Sequence, residues 1–143
     1  MRLDGLVPNM LTPLGEDRRP DVSGIHKLVA FLGDAGVGGL WVLGSAGEDV
    51  HIGWRDRVTV ARETVRANER GIPLLIGLGP ASFFEIFSFV EQIPHEEIRG
   101  VHLLPYDSKM GDGQLIRYVT EIADRLPCPL WLYHNPKRGR PFT

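Results

Sequence analysis

Glycine, hydroxyl, phenol and guanidinium residues gather at a few short places in this 143-residue chain. Gly44, Ser45, Ala46, Gly47 and Glu48 set a hydroxyl and a carboxylate among glycines. Glycine lets a backbone approach an anion closely, and successive N–H groups in such a turn can form an anion-binding concavity. The plain reading of the same residues is an ordinary tight turn. Tyr133, His134, Asn135, Pro136 and Arg138 form a second gathering. A phenol can move a proton and a guanidinium can take a carboxylate in a bidentate fork. Otherwise Tyr133 is an aromatic capping a core and Arg138 a solvated base. Thr12 with Pro13, Gly77 with Gly79, and the stretch Pro105 to Asp107 complete the set.

Other chemistries find less support. No pair of His, Asp or Glu shows metal-ligand spacing, so no metal is expected. The single cysteine, Cys128, excludes an intrachain disulfide and a multi-cysteine metal site; between Pro127 and Pro129 it reads as a small buried filler. His102 lies within an apolar run and reads as buried and hydrogen-bonded, whereas His26, His51 and His95 read as solvated. A formal charge of −2, with 43% hydrophobic and 24% charged residues, describes a globular chain without the clustered Lys and Arg that nucleic acid requires. No stretch is apolar enough to span a membrane and the opening residues lack a signal-peptide pattern, so the expected location is the cytoplasm.

The residues that could do chemistry stand at the ends of apolar runs. Five such runs, Leu6 to Leu11, Gly39 to Leu43, Pro73 to Leu78, Val101 to Leu104 and Pro129 to Tyr133, are continuous rather than alternating, as in parallel strands covered on both faces. Between them, apolar residues recur at helical spacing: Val22, Ile25, Leu28, Val29 and Leu32; Trp54, Val58, Ala61 and Val65; Phe83, Phe87 and Val90; Leu115, Val119, Ile122 and Leu126. Ser82 with Glu85 predicts a capping box, Asp21 and Asp112 predict N-caps, and Gly36 and Gly71 predict left-handed helix ends. Phe89, surplus to the third helix's stripe, is a candidate subunit contact. The strand-helix alternation fits one domain over 1–143, either the first five strands of a (β/α)8 barrel or a five-stranded flavodoxin-like open sheet. Both architectures put function at the carboxyl ends of the strands.

The strand-end motifs favour the barrel by resemblance. GLVPNMLTPL (Gly5 to Leu14), GGLWVLGSAGEDVHIGWRDR (Gly38 to Arg57), GVHLLPYDSK (Gly100 to Lys109) and PLWLYHNPKRG (Pro129 to Gly139) resemble, in order and spacing, the dihydrodipicolinate synthase / N-acetylneuraminate lyase family. The resemblance implies the N-terminal part of a barrel enzyme that forms a lysine Schiff base with pyruvate or another 2-oxo acid. It needs no cofactor and commonly forms a dimer or tetramer. It also implies that Tyr133 is the catalytic phenol and Ser45 its proton relay, that Gly44, Ala46 and Gly47 present amides to the substrate carboxylate, and that Arg138 guards the entrance. Thr12 and His134 are further candidate substrate contacts, and Glu48 is expected to hold the loop.

Three departures bear on activity. Ala46 stands where the family commonly has a second hydroxyl. Asp107 stands where the synthase branch has a second tyrosine, which argues for a lyase or dehydratase relative. The family's Schiff-base lysine lies on a sixth strand. Lys27, Lys109 and Lys137 are all expected in surface positions, and a Schiff-base lysine must be desolvated to lose its proton. The chain alone is therefore expected to be inactive and, through its open sheet edges, to self-associate or bind a complementary part. The alternative is a non-catalytic, truncated or degenerate barrel with a binding or assembly role.

Overall fold

The computed structural model describes residues 3–142. Four parallel strands, β1 (Leu40–Val42), β2 (Leu74–Gly77), β3 (Gly100–Leu103) and β4 (Leu130–Leu132), alternate with four helices, α1 (Val22–Asp34), α2 (Trp54–Ala67), α3 (Phe83–Gln92) and α4 (Asp112–Arg125). The strands lie in the order β1-β2-β3-β4. Leu40 faces Leu74, Leu75 faces Gly100, and Val101 faces Leu130.

The run Leu6 to Leu11 was expected to be a strand but forms one isolated parallel bridge, Asn9 to Trp41. Its hydrogen bonds nevertheless follow the outer side of β1: Gly38 N to Leu6 O at 2.8 Å, Trp41 N to Pro8 O at 3.0 Å, and Met10 N to Trp41 O at 2.8 Å. Pro8 accepts from Trp41 but has no N–H to return, which interrupts the ladder. Because this segment lies outside β1, the order is sequential along the whole chain. A flavodoxin-like sheet would insert it between β1 and β2. Those strands pair directly, which overturns the open-sheet alternative and leaves the barrel arrangement.

Every residue of β2 and β3 is buried, as their continuous apolar sequences require. Ile25 and Val29 of α1, Val58 and Ala61 of α2, Ile86, Phe89 and Val90 of α3, and Ile122 of α4 join them in one core. Glu85 N donates to Ser82 Oγ at 3.4 Å and Ser82 N to Glu85 Oε2 at 2.7 Å, completing the expected capping box. The Ser82 hydroxyl and then the Ser82 backbone N–H hold the Glu85 carboxyl below its usual value. Gly36, directly after the Ala35 C-cap, takes φ 71° as the left-handed end expected after α1. Gly71, at φ 64°, instead lies three residues beyond the Asn68 C-cap of α2, in the turn leading to β2 and not at the helix end.

Three further local expectations are corrected. Asp21 occupies the N-cap position of α1 but its side chain caps no amide. The N-cap of α4 is Gly111, whose N–H donates to Gln114 Oε1 at 3.0 Å, while Asp112 begins the helix and pairs with Arg140. Phe89 is not a surface aromatic: it is 1% exposed and packs edge-on against Trp54, and the exposed phenylalanine of α3 is Phe84, at 76%. Phe89 shares the inner face of the helix with Ile86 and Val90, and Phe84 falls outside it. Among the described residues no helix is long and apolar enough to cross a membrane.

Candidate active site

The chain leaves β1 through Leu43, a buried residue held at φ 54°. A bulky residue there costs about 1–3 kcal/mol and persists only where its surroundings over-determine it. Ser45–Gly47 then form a short 3-10 turn, and Glu48 follows at φ 57°. Gly47 N donates to Gly44 O at 2.9 Å and Glu48 N to Ser45 O at 3.3 Å. The amides of Ser45 and Ala46 come before the first of these bonds and so remain outside the turn's own hydrogen bonding. Thr12 stands behind the turn, its hydroxyl donating to Gly47 O at 2.7 Å. A Cβ on Gly47 would lie 2.9 Å from Met10 O, so glycine is what allows this close packing.

Two residues absent from the sequence expectations secure the loop. The Arg57 side chain, on α2 and buried, donates from Nη1 to Asp49 O and from Nη2 to Gly77 O, each at 2.9 Å, with Phe89 beneath its guanidinium. Burial pulls the Arg57 guanidinium below its ordinary value, with Asp49 and then Tyr106 opposing the shift. Asp49 is also buried; its carboxylate accepts from Tyr106 OH and from Val50 N, the latter at 3.0 Å, and lies 3.5 Å from Arg138 Nη2. Burial and then the bond to Asp49 push the Tyr106 phenol far above its usual range, so it stays protonated. Glu48, expected to hold the loop, is exposed. Its work falls to Arg57 and Asp49. The available signal was an acid and an arginine eight residues apart, flanking the start of α2, but such spacing is common among solvated residues.

Beyond β4, Tyr133 N donates to Leu103 O at 2.9 Å, and the ring meets Trp41 edge-on with centroids 5.5 Å apart. Asn135 Nδ2 donates to the phenol oxygen at 3.0 Å, which leaves the phenol's own proton available to another acceptor. Ser45, Tyr133, Gly44, Asp49, His102 and Tyr106 line one narrow cleft at the carboxyl ends of the strands, closed by Gly79 and Leu104. Arg138, with 35% of its side chain exposed, reaches the cleft's acid from the loop above.

His134 does not join this group. It is exposed, its Nδ1 accepts from Phe142 N at 3.3 Å, and its ring lies beside Phe142. Adjacent residues of an extended chain point to opposite sides, so His134 turns out as Tyr133 turns in. Ala46 is exposed on the turn, and Lys27, Lys109 and Lys137 are exposed. His26 and His95 are half-buried rather than solvated, His26 lying 2.9 Å from Glu63. Burial raises the Cys128 thiol to about 11, which makes it a poor nucleophile.

His102 is buried and hydrogen-bonded as expected, with Nε2 3.1 Å from Val42 O and its ring stacked on Trp41 at 4.2 Å. Since Val42 O can only accept, Nε2 carries the proton. Burial lowers the His102 pKa to about 4, against about 6.5 in an unfolded chain. Between these values the unfolded state binds the extra proton, so stability is complete above about 6.5 and falls as the pH drops toward 4. The expected loss from this group is roughly 3 kcal/mol. Urea unfolding at pH 7 and 4.5 checks it, with His102→Gln expected to flatten the dependence. An equal slope in the variant would remove His102 as its origin.

Sequential parallel order, with polar side chains collected at the strand tips, places the chain in the (β/α)8-barrel class. It belongs to the dihydrodipicolinate synthetase family, whose profile matches residues 2–140. YagE of Escherichia coli is 32% identical over 133 residues, covering 92% of this chain and 44% of that protein. The 4-hydroxy-tetrahydrodipicolinate synthase of Methanosphaerula palustris is 30% identical over 138 residues, covering 94% and 47%. Among solved structures, YagE in complex with pyruvate superposes with a TM-score of 0.86 at 32% identity, over 94% of this chain and 45% of that one. The dihydrodipicolinate synthase of Bacteroides thetaiotaomicron gives a TM-score of 0.86 at 29% identity, over 96% and 46%. The chain thus spans about half the length of the relatives it matches.

Proposed function

We propose that the protein containing this chain is a lyase, aldolase or dehydratase that holds pyruvate or another 2-oxo acid as a lysine Schiff base. The observation that carries this reading is the meeting of Ser45 and Tyr133 in one cleft, beside a turn whose leading amides are uncommitted. The structure of YagE with pyruvate supports the substrate class.

In this mechanism the substrate carboxylate sits against the Ser45 and Ala46 amides. Forming the imine releases water, and cleaving or forming the adjacent carbon–carbon or carbon–oxygen bond moves protons at the substrate. Tyr133, oriented by Asn135, gives and takes those protons, and Ser45 relays them. Ala46 lacks the hydroxyl that would add a second side-chain bond to the carboxylate, so binding there depends on backbone donors. The reading assigns the lysine to a strand outside these 143 residues, and the exposure of Lys27, Lys109 and Lys137 supports that assignment. A cytoplasmic homo-oligomer, with this chain as the N-terminal part of one barrel domain, completes the reading.

Borohydride reduction with pyruvate tests it. The intact protein is expected to gain the mass of one reduced pyruvyl adduct on a lysine outside this chain, and the 143-residue chain to gain none. An intact protein that forms no adduct overturns the catalytic reading. It favours instead a non-catalytic barrel with a binding or assembly role.

A further inference from the structure

We propose that Asp49 determines specificity: it neutralises Arg138 from within, so that the mouth of the cleft selects an aldehyde partner presenting hydroxyl groups rather than a carboxylate. The inference deepens the lyase reading and rests on it.

Asp49 is a standing counter-ion because it cannot turn away. Its side chain is 5% exposed against 35% for Arg138, so the acid is the buried half of the pair. One carboxylate oxygen accepts from Tyr106 OH, and the other accepts from Val50 N at 3.0 Å and faces Arg138 Nη2 at 3.5 Å. Its backbone carbonyl is held by Arg57, whose hydrogen bonds go to the carbonyls of Asp49 and Gly77 and not to the carboxylate.

An incoming carboxylate could take Arg138 in only two ways. It could displace the guanidinium from Asp49, stripping a buried acid of its ion-pair partner, which is costly. Or it could bind beside Asp49 and meet a like charge. A hydroxyl group meets neither cost: it can donate to Asp49 or accept from the N–H groups of Arg138 that Asp49 leaves unused, since a guanidinium carries five donors. The discrimination therefore comes from a repulsive element placed against one class of partner.

The test offers the intact protein pyruvate with equal concentrations of D-glyceraldehyde and succinic semialdehyde, and measures the ratio of addition products. The wild type is expected to favour the glyceraldehyde product at least tenfold. Asp49→Asn removes the charge while its carbonyl oxygen still accepts from Val50 N and its amide can donate to the Tyr106 oxygen. It is expected to shift the ratio about tenfold toward the semialdehyde, through a lower KM for that partner and not a higher kcat. A wild type that prefers the semialdehyde, or a variant with an unchanged ratio, overturns the proposal. Borohydride trapping with pyruvate alone reads the lysine chemistry separately. Should no adduct form, glutarate binding followed by tryptophan fluorescence decides the point: about tenfold tighter binding in Asp49→Asn supports the counter-ion role, and equal binding refutes it.

Discussion

Replacing Tyr133 with Phe in the intact protein is expected to lower kcat by about 10²–10⁴-fold, the usual contribution of a positioned proton-transfer group. KM for the 2-oxo acid should change little, because the proposed carboxylate contacts belong to the Ser45 and Ala46 amides on the other side of the cleft. The substitution is clean in this setting. The ring is held by its edge contact with Trp41, which Phe retains, and the lost hydroxyl forms one bond, accepted from Asn135 at 3.0 Å. Near-UV circular dichroism should therefore be unchanged while single-turnover cleavage slows. A variant with full activity would remove the phenol from the proposed proton path, and one with altered dichroism would show that the ring acts through packing.

Gly77→Ala is expected to destabilise the chain by about 3 kcal/mol or more. A Cβ built at Gly77 lies 2.1 Å from Leu43 O and 2.7 Å from His102 Cε1. The first contact is backbone just past the end of the neighbouring strand β1 and cannot rotate away. Gly77 O is also an anchor for Arg57, so moving β2 to relieve the clash would loosen the Ser45 to Asp49 loop as well. A lower urea midpoint should accompany the loss. Gly113→Ala serves as the control: no atom lies within 4 Å of its added Cβ, and inside α4 an alanine is expected to be neutral or stabilising by up to about 1 kcal/mol. Equal midpoints for the two variants would refute the close packing of the strand tips.

The elements were legible because their signals are local. Four of the five apolar runs became strands, and the fifth stopped short at one bridge because Pro8, whose presence in the sequence was plain, withholds an N–H from β1. The box at Ser82 and Glu85 and the glycine end at Gly36 depend on residues within one turn, so residue type sufficed. Asp112 misled because an acid at a helix start suits both the N-cap and the first turn, and its pairing with Arg140 comes from a distant part of the chain.

The order of residues along the chain was enough to establish strand-helix alternation, the gathering of Ser45 and Tyr133 at strand ends, and the resemblance that the family match bears out. It left open which strands are neighbours, since periodicity reports which face of an element is apolar and not what covers it. Folding settled that, and with it the partners of the charged groups. Arg57, Asp49, Tyr106 and Arg138 come from three separate strand-end segments, and apart from Arg138 each alone reads as an ordinary polar residue. Burial turns them into a connected set, because a charge withdrawn from water must find its counter-charge or its hydrogen bonds within the protein, and only parallel strands ending at one level bring those partners within reach.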